Sequence, residues 1–314
     1  MKPISDRALK PIAKSKAKPV PNRLTSSMYM SASDSLRVFF ETHHGSISMH
    51  WHDFYEMTYI VSGEARHNLN GTISKLGAGT VFLLTPADFH ELIFEHGEQL
   101  VLINVIFAPD MLEDAIGDFL FPDPHAGAII LRLDDQAIPA IDSDFRRLWT
   151  EYTEQAPGAG MLIQATLNRL LIELGRQYRQ TASRSEPEPP PPGDHMPEKG
   201  ASPPMQQAVR KALIYMNHHF REPITLAVVA RQAGYSEGYF SDCFGRVTGE
   251  SFQSYLQKLR LQFAQKMLLA SGMSVTEVCY CSGFNTLNHF ERAFKQHFQM
   301  SPRAFKASSV KNID

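Results

Sequence analysis

The sequence predicts a two-part α+β chain. An antiparallel β-barrel of the jelly-roll kind with a helical hairpin comes first, and an all-α domain of two helix-turn-helix units joined by a long helix follows. Three observations carry this expectation. Short runs rich in branched and aromatic residues recur between Met28 and about Asp134, punctuated by turn residues. From Gln136 onward the apolar spacing changes from strand-like to helical. A motif ending at Gly249 is then echoed at Gln299, about fifty residues later.

Composition bounds the possibilities. A chain of 314 residues has room for two cores, and 43 % apolar with 20 % charged residues is ordinary for a globular protein. No apolar run reaches the length of a membrane span, and the N-terminus lacks a signal peptide's apolar segment, so a cytoplasmic protein is expected. Cys243, Cys279 and Cys281 form an odd, clustered set, which suits reduced thiols better than a disulfide framework. The net charge of −2 hides an asymmetry: from Met205 onward there are 13 Lys+Arg against 7 Asp+Glu, leaving 18 against 26 before it. A basic C-terminal part on an acidic remainder fits one nucleic-acid-binding domain joined to something else.

Taken in order, residues 1–27 are Lys-, Pro- and Ser-rich and read as a flexible basic tail; Lys10, Lys14, Lys16 and Lys18 would suit an arm that folds over a pocket or touches DNA backbone. Residues 28–135 hold the expected strands Leu36–Phe40, Glu56–Val61, Ala65–Leu69, Thr72–Leu76, Val81–Leu84, Glu91–Phe94 and Leu100–Phe107. Turns are expected at Ser62-Gly63, Asn70-Gly71 and Gly77-Ala78-Gly79. Residues 136–182 carry Ile138, Ile141, Phe145, Leu148 and Tyr152 at helical spacing, a break at Pro157-Gly158, and a second run through Leu174. They predict a hairpin that packs most of its apolar positions within the chain, with any leftover stripe, such as Leu167, Leu170, Leu171 and Leu174, open to pairing with a second subunit. Residues 183–204 contain 8 of the 20 prolines and read as a linker.

Within the strand-rich part, His50-Trp51-His52-Asp53-Phe54-Tyr55-Glu56 is followed by Gly63, Pro86 and His90. On one strand, residues 50, 52 and 56 would project to one face. The pattern resembles the cupin signature, in which two histidines, a glutamate and a later histidine converge inside the barrel. Asp88 departs from it, standing where a glycine is usual. Three imidazoles and a carboxylate suit a divalent transition metal, and they equally suit hydrogen bonding to an organic ligand. The effector-binding candidates are therefore His50, Trp51, His52, Glu56, Arg66 and His90, with His50, His52, Glu56 and His90 as a possible divalent-metal set.

Residues 205–307 are read as two reading heads. Thr225 and Ser274 can each cap a short apolar-faced helix; each helix breaks at a glycine and aromatic (Gly234-Tyr235, Gly283-Phe284) and restarts at Ser236 or Asn285. The second helix of such a unit can lie in a DNA major groove. Between the units, Phe252, Leu256, Leu259, Phe263 and Met267 mark a long helix, and Ser301-Pro302 starts a final one. Residues 308–314 are a short tail. The segments Thr248-Gly249-Glu250-Ser251-Phe252, Leu259-Arg260-Leu261, Gly283-Phe284-Asn285 and Phe290-Glu291-Arg292-Ala293-Phe294-Lys295 resemble the DNA-binding domain of the AraC/XylS family of bacterial transcription regulators. The part ahead of them is similar to the sensor domain of the same family, especially its rhamnose-responsive members.

The resemblance implies recognition helices on adjacent turns of double-stranded DNA. Outward positions are Glu237, Gly238, Tyr239, Ser241, Asp242 and Arg246 in the first, and Thr286, Leu287, Asn288, Glu291, Arg292 and Lys295 in the second. Arg292 suits guanine and Asn288 adenine, while Arg246 and Lys295 suit phosphates. Gly238 and Asp242 make the first helix a poorer reader, so the second is expected to read more. The resemblance also implies a small-molecule effector, first of all a sugar or related metabolite, contact with RNA polymerase, activator behaviour and a homodimer. It implies no catalytic residues and no required cofactor. Two alternatives stay open: a metal-dependent cupin enzyme fused to a DNA-binding module, and a ligand-independent regulator whose barrel only dimerises.

Overall fold

A computed structural model describes residues 21–31, 34–95, 97–122, 127–185 and 203–310. The lysines of the first twenty residues, most of the proline-rich stretch and the last four residues lie outside them. The N-terminal half is one curled nine-stranded sheet: β1 (Asn22–Leu24), β2 (Leu36–His43), β3 (Ile47–His52), β4 (Tyr55–Leu69), β5 (Thr72–Gly77), β6 (Thr80–Leu84), β7 (Phe89–Ile93), β8 (Leu100–Phe107) and β9 (Ile129–Arg132). A single turn of helix, α1 (Ser26–Tyr29), precedes β2, and α2 (Asp114–Leu120) follows β8. All pairings are antiparallel except β1 with β3.

The sheet curls because β4 belongs to both of its walls. Tyr55–Tyr59 pair with β6 and β8, while Arg66–Leu69 pair with β7. The expected strands Glu56–Val61 and Ala65–Leu69 are therefore one strand, and Ser62-Gly63 is not a turn. The register against β8 shifts between Ile60 and Ser62, and Gly63 has φ +89°. It is a bulge, which bends a strand without ending it. No side chain fits there, since a Cβ on Gly63 would meet the Gln99 carbonyl oxygen at 2.0 Å. Other elements had no clear signal in sequence. Asn22–Leu24 pair with His50–His52, so part of the expected tail is strand; β3 was expected only as the strand carrying residues 50 and 52, and β9 had no expectation.

The hairpin is α3 (Ile138–Glu154) and α4 (Ala159–Ser185), packed on the outside of the sheet. Leu167, Leu170, Leu171 and Leu174 are all buried in the core shared with Tyr59, Val105 and Phe145. Of the two readings of this stripe, packing within the chain is the one found: the curled sheet's outer face is itself apolar and claims it. The interior of the curl is a smaller apolar cluster of Ile60, Ala65, Leu76, Phe82, Leu84, Leu92, Leu100 and Leu102.

The C-terminal half contains α5 (Pro203–His219), α6 (Leu226–Gln232), α7 (Glu237–Thr248), α8 (Phe252–Ala270), α9 (Val275–Cys281), α10 (Leu287–Phe298) and α11 (Pro302–Val310). Caps define their starts. Thr225 accepts from the Val228 N–H, Ser251 from Ser254, and Ser274 with Glu277 forms a full capping box. The cap of α10 is Thr286, one residue later than the expected Asn285. Phe240, Phe244, Phe290 and Phe294 are fully buried, as their repeat positions require. Cys279, opposite Ala230 in the repeat, is buried with its thiol pushed up to about 11 by burial, so it serves as a small apolar residue. No helix among the described residues is long and apolar enough to cross a membrane.

Candidate functional site

His50, His52, Glu56 and His90 do converge, but not by the route expected. His50 and His52 lie on β3, Glu56 on β4 after a sharp bend at Asp53-Phe54, and His90 on β7 directly opposite His50. The bend, not one strand's alternation, brings the glutamate round. Glu56 Oε2 lies 3.3 Å from His52 Nε2 and 3.6 Å from His90 Nε2. The His50 and His90 rings are 4.3 Å apart. All four residues are buried, His52 completely.

Backbone carbonyls fix the tautomers. His50 Nδ1 is 2.8 Å from the Ser48 carbonyl oxygen, and His52 Nδ1 is 2.6 Å from that of Phe54. A carbonyl only accepts, so both Nδ1 atoms carry a proton, and in the neutral His52 ring Nε2 then presents a lone pair. Burial drives the His52 pKa down to about 3 and that of His90 well below its usual value. Both rings are neutral at ordinary pH.

Other residues join the cluster without a sequence prediction. His67 Nε2 is 3.1 Å from His90 Nδ1, and burial lowers its pKa to about 3. Asn104 Nδ2 donates to Glu56 Oε1 at 3.2 Å, and Asn104 Oδ1 accepts from Thr58. Strand alternation held the signal for His67: Ala65 and His67 face inward, which turns Arg66 outward. Arg66 is accordingly half-exposed and 3.7 Å from Glu95, away from the cluster. Trp51, between His50 and His52, points to the other face, where Arg221 stacks on it. The structure therefore does not bring these two effector candidates into the histidine cluster. Asp88 accepts from the Thr85 backbone and hydroxyl and from Asn70, and so pins the turn that delivers His90.

Trp51 leads to the second feature, because Met49, Trp51 and Phe89 share one apolar core with α5 and α8. Arg221, just past α5, donates to the carbonyl of His52 at 3.1 Å and also to that of Pro86. Burial lowers its pKa to about 10, helped by Arg23, which leaves it charged. Around it, Phe89 meets Phe263 edge-to-face, and the Tyr55 hydroxyl lies 2.9 Å from His218 Nε2. Burial holds His218 down to about 3, so the phenol shares its hydrogen bond with a neutral ring. Arg210 pairs with Asp118 at 3.2 Å and Lys211 with Asp114. A cleft of about 530 Å³ opens beside this seam, among Asp88, Phe121, His218, Phe263 and Lys266.

The seam uses the scaffold and leaves the reading helices free. On α7, Glu237, Gly238, Tyr239, Asp242 and Arg246 are exposed and Ser241 is half-buried. On α10, Asn288, Arg292 and Lys295 are exposed and Glu291 is half-buried. Thr286 is spent on its cap, and Leu287 packs on the core instead of facing outward. His289 and Gln296, not singled out in sequence, are exposed on the same helix.

These arrangements have counterparts. Residues 35–171 match the AraC-like ligand binding domain family, and residues 229–308 match a helix-turn-helix domain family. The HTH-type transcriptional activator RhaS of Salmonella typhimurium is 29 % identical over 264 residues, covering 81 % of this chain and 85 % of that protein. Among solved structures, the C-terminal domain of the two-component response regulator yesN from Fusobacterium nucleatum is 27 % identical over 32 % of this chain and 97 % of that one, with TM-score 0.31. ToxT from Vibrio cholerae is 11 % identical over 87 % and 98 %, with TM-score 0.35. RhaS is a transcriptional activator and the two matched families are a ligand-binding and a helix-turn-helix domain, which favours the regulator reading over the metal-dependent enzyme. With an AraC-like ligand-binding domain and a helix-turn-helix domain matched in this order along one polypeptide, the chain has the two-domain make-up of an AraC-type DNA-binding transcription regulator and is homologous to RhaS.

Proposed function

We propose that this regulator binds a small polar effector in the curled sheet and passes its state to two DNA-reading helices through the seam at Arg221. The observation that carries this reading is the hydrogen bond from Arg221 to the carbonyl of His52. One residue thereby joins the helical half to the strand bearing two pocket histidines. Coupling of this kind requires the effector to bind one seam arrangement more tightly than another. The buried imidazoles and Glu56 favour a hydroxyl-rich ligand, and likeness to RhaS makes a sugar or related metabolite the first choice, with activation through RNA polymerase as the output. A homodimer would use surfaces other than the leucine stripe of α4.

On DNA, α10 is the stronger reader, since it presents Asn288, Arg292 and Lys295 while α7 offers Glu237 and Asp242 beside Arg246. Arg292→Ala is expected to cost about 1–3 kcal/mol of binding to a selected duplex and to relax discrimination at one base pair. Titration of base-substituted duplexes checks this, and an unchanged base profile would sink the assignment. A thermal-shift screen of the full chain across sugars and sugar acids tests the effector. A stabilising compound that also changes DNA affinity supports the reading, and one that leaves DNA affinity untouched contradicts it.

A further inference from the structure

A cleft of about 560 Å³ lies wholly within the helical half, where the two helix-turn-helix units meet. Thr225, the cap of α6, borders it from the first unit. Tyr280 on α9 and Asn285, just before α10, border it from the second. Gln253 and Arg260 on α8 and Arg221 from the loop after α5 complete its polar lining.

The charge of this cleft is one-sided. Two arginines line it and no carboxylate does. Two further clefts mix signs, Lys266 with Asp88 in one and Lys211 with Asp114 in the other. Both guanidinium groups bond to backbone carbonyls, Arg221 to those of His52 and Pro86 and Arg260 to those of Phe220 and Glu222. Neither forms an ion pair among the described residues, and the buried Nη1 of Arg221 has no hydrogen-bond partner. In Arg260, Nε and Nη2 are taken, which leaves Nη1 for a ligand. Burial lowers both pKa values, the mark of cations taken out of water. Low-dielectric walls carrying one sign of charge concentrate the field and draw an anion.

The rim defines which anion fits. Tyr280 is 57 % exposed, and Gln253 and Asn285 are exposed beside it. The Thr225 hydroxyl accepts from the Val228 N–H and keeps its own proton to donate. Guanidinium, hydroxyl and amide donors around one opening suit a tetrahedral oxyanion, phosphate above all. Location identifies the source. Helices that read successive major-groove segments leave a stretch of strand backbone crossing between them, and the cleft lies where the units carrying α7 and α10 meet.

We infer that this cleft seats a phosphate of the DNA strand running between the two reading helices, with Arg260, Thr225 and Tyr280 as its contacts and Arg221 as a second charge beside them. The inference rests on the reading role of α7 and α10 and adds to it an anchor that is blind to sequence. Because Arg221 also grips the His52 carbonyl, a shift of the seam alters the field at this phosphate without moving either reading helix.

The test uses the full-length protein and a duplex recovered by selection. Arg260→Gln should weaken binding about tenfold with every base-substituted duplex alike, and lower the slope of log K against log salt by about 0.9. Duplexes carrying one uncharged methylphosphonate at a time between the two sequence blocks should locate the seat. The parent should lose about tenfold at one position, and Arg260→Gln should lose nothing further there. An arginine that only braces the loop after α5 would give losses that add. If Arg260→Gln does not fold, Tyr280→Phe goes through the same scan and should blunt the loss at the same position. Inorganic phosphate should compete with DNA no better than chloride at matched ionic strength. Additive losses, no sensitive position between the blocks, or selective competition by inorganic phosphate would each overturn the inference. Selected duplexes without two blocks would sink the two-helix reading as well, which keeps the two failures apart.

Discussion

Gly283→Ala is expected to destabilise the helical half by about 2–5 kcal/mol, whereas the matching change in the first unit, Gly234→Ala, costs only about 1–2 kcal/mol. Both glycines adopt left-handed backbone, with φ +86° and +77°. Either alanine therefore meets the conformational penalty of that region. The difference lies in what surrounds them. Nothing lies within 4 Å of a Cβ on Gly234, but a Cβ on Gly283 would sit 2.9 Å from the Arg221 Cα, the Phe220 carbonyl oxygen and Arg260 Nε. Two of those atoms are backbone, and Arg260 is held by the Phe220 and Glu222 carbonyls at 2.7 and 2.9 Å. None can move without breaking the loop after α5. Denaturant unfolding of the full chain measures both variants, and equal midpoints would show that the second turn has slack.

The same loop makes Arg221→Met the second large effect. Methionine fills much of the arginine's apolar volume against Trp51, Phe220 and Phe263, so packing is largely kept. The carbonyls of His52 and Pro86 lose their donor. An unsatisfied buried acceptor costs roughly 1–3 kcal/mol, and removal of a buried charge offsets part of the sum. The docking equilibrium of the two halves is expected to weaken by about 2–4 kcal/mol, a factor of roughly 30 to 1,000. Hydrogen exchange at Ala87–Phe89 and His218–Phe220 should accelerate, with the amides of α10 unaffected. Seam amides that stay as protected as in the parent would show that the apolar contacts alone hold the halves together.

Much of this was legible in the sequence, for definable reasons. The helical half repeats, and each repeat carries its own caps, turn glycine and buried phenylalanines, so local chemistry agrees with the global fold nearly throughout, the start of α10 being the exception. The sheet was harder to read. Gly63 signals a turn and a bulge alike, and only the neighbouring strand β8 decides between them. Trp51 and Arg66 sit beside pocket residues in sequence, but alternation puts them on the opposite face. The same rule, applied to Ala65 and His67, would have placed His67 inside. Arg221 carried no signal, because a lone arginine after a helix looks like any solvated cation until the partner carbonyls of His52 and Pro86 are known. The leucine stripe of α4 stayed open between two readings for a related reason: a sequence shows that a face is apolar, not which surface covers it.

Two reading helices on one fixed scaffold, coupled to the sensor but not covered by it, should leave a definite mark on DNA. Selection from random duplex DNA with the full-length protein reads that mark most directly. Recovered duplexes should contain two sequence blocks with centres about 10 base pairs apart, the more informative one assigned to α10 by its response to Arg292→Ala. Recovery of a single block, or of two blocks with variable spacing, would contradict it.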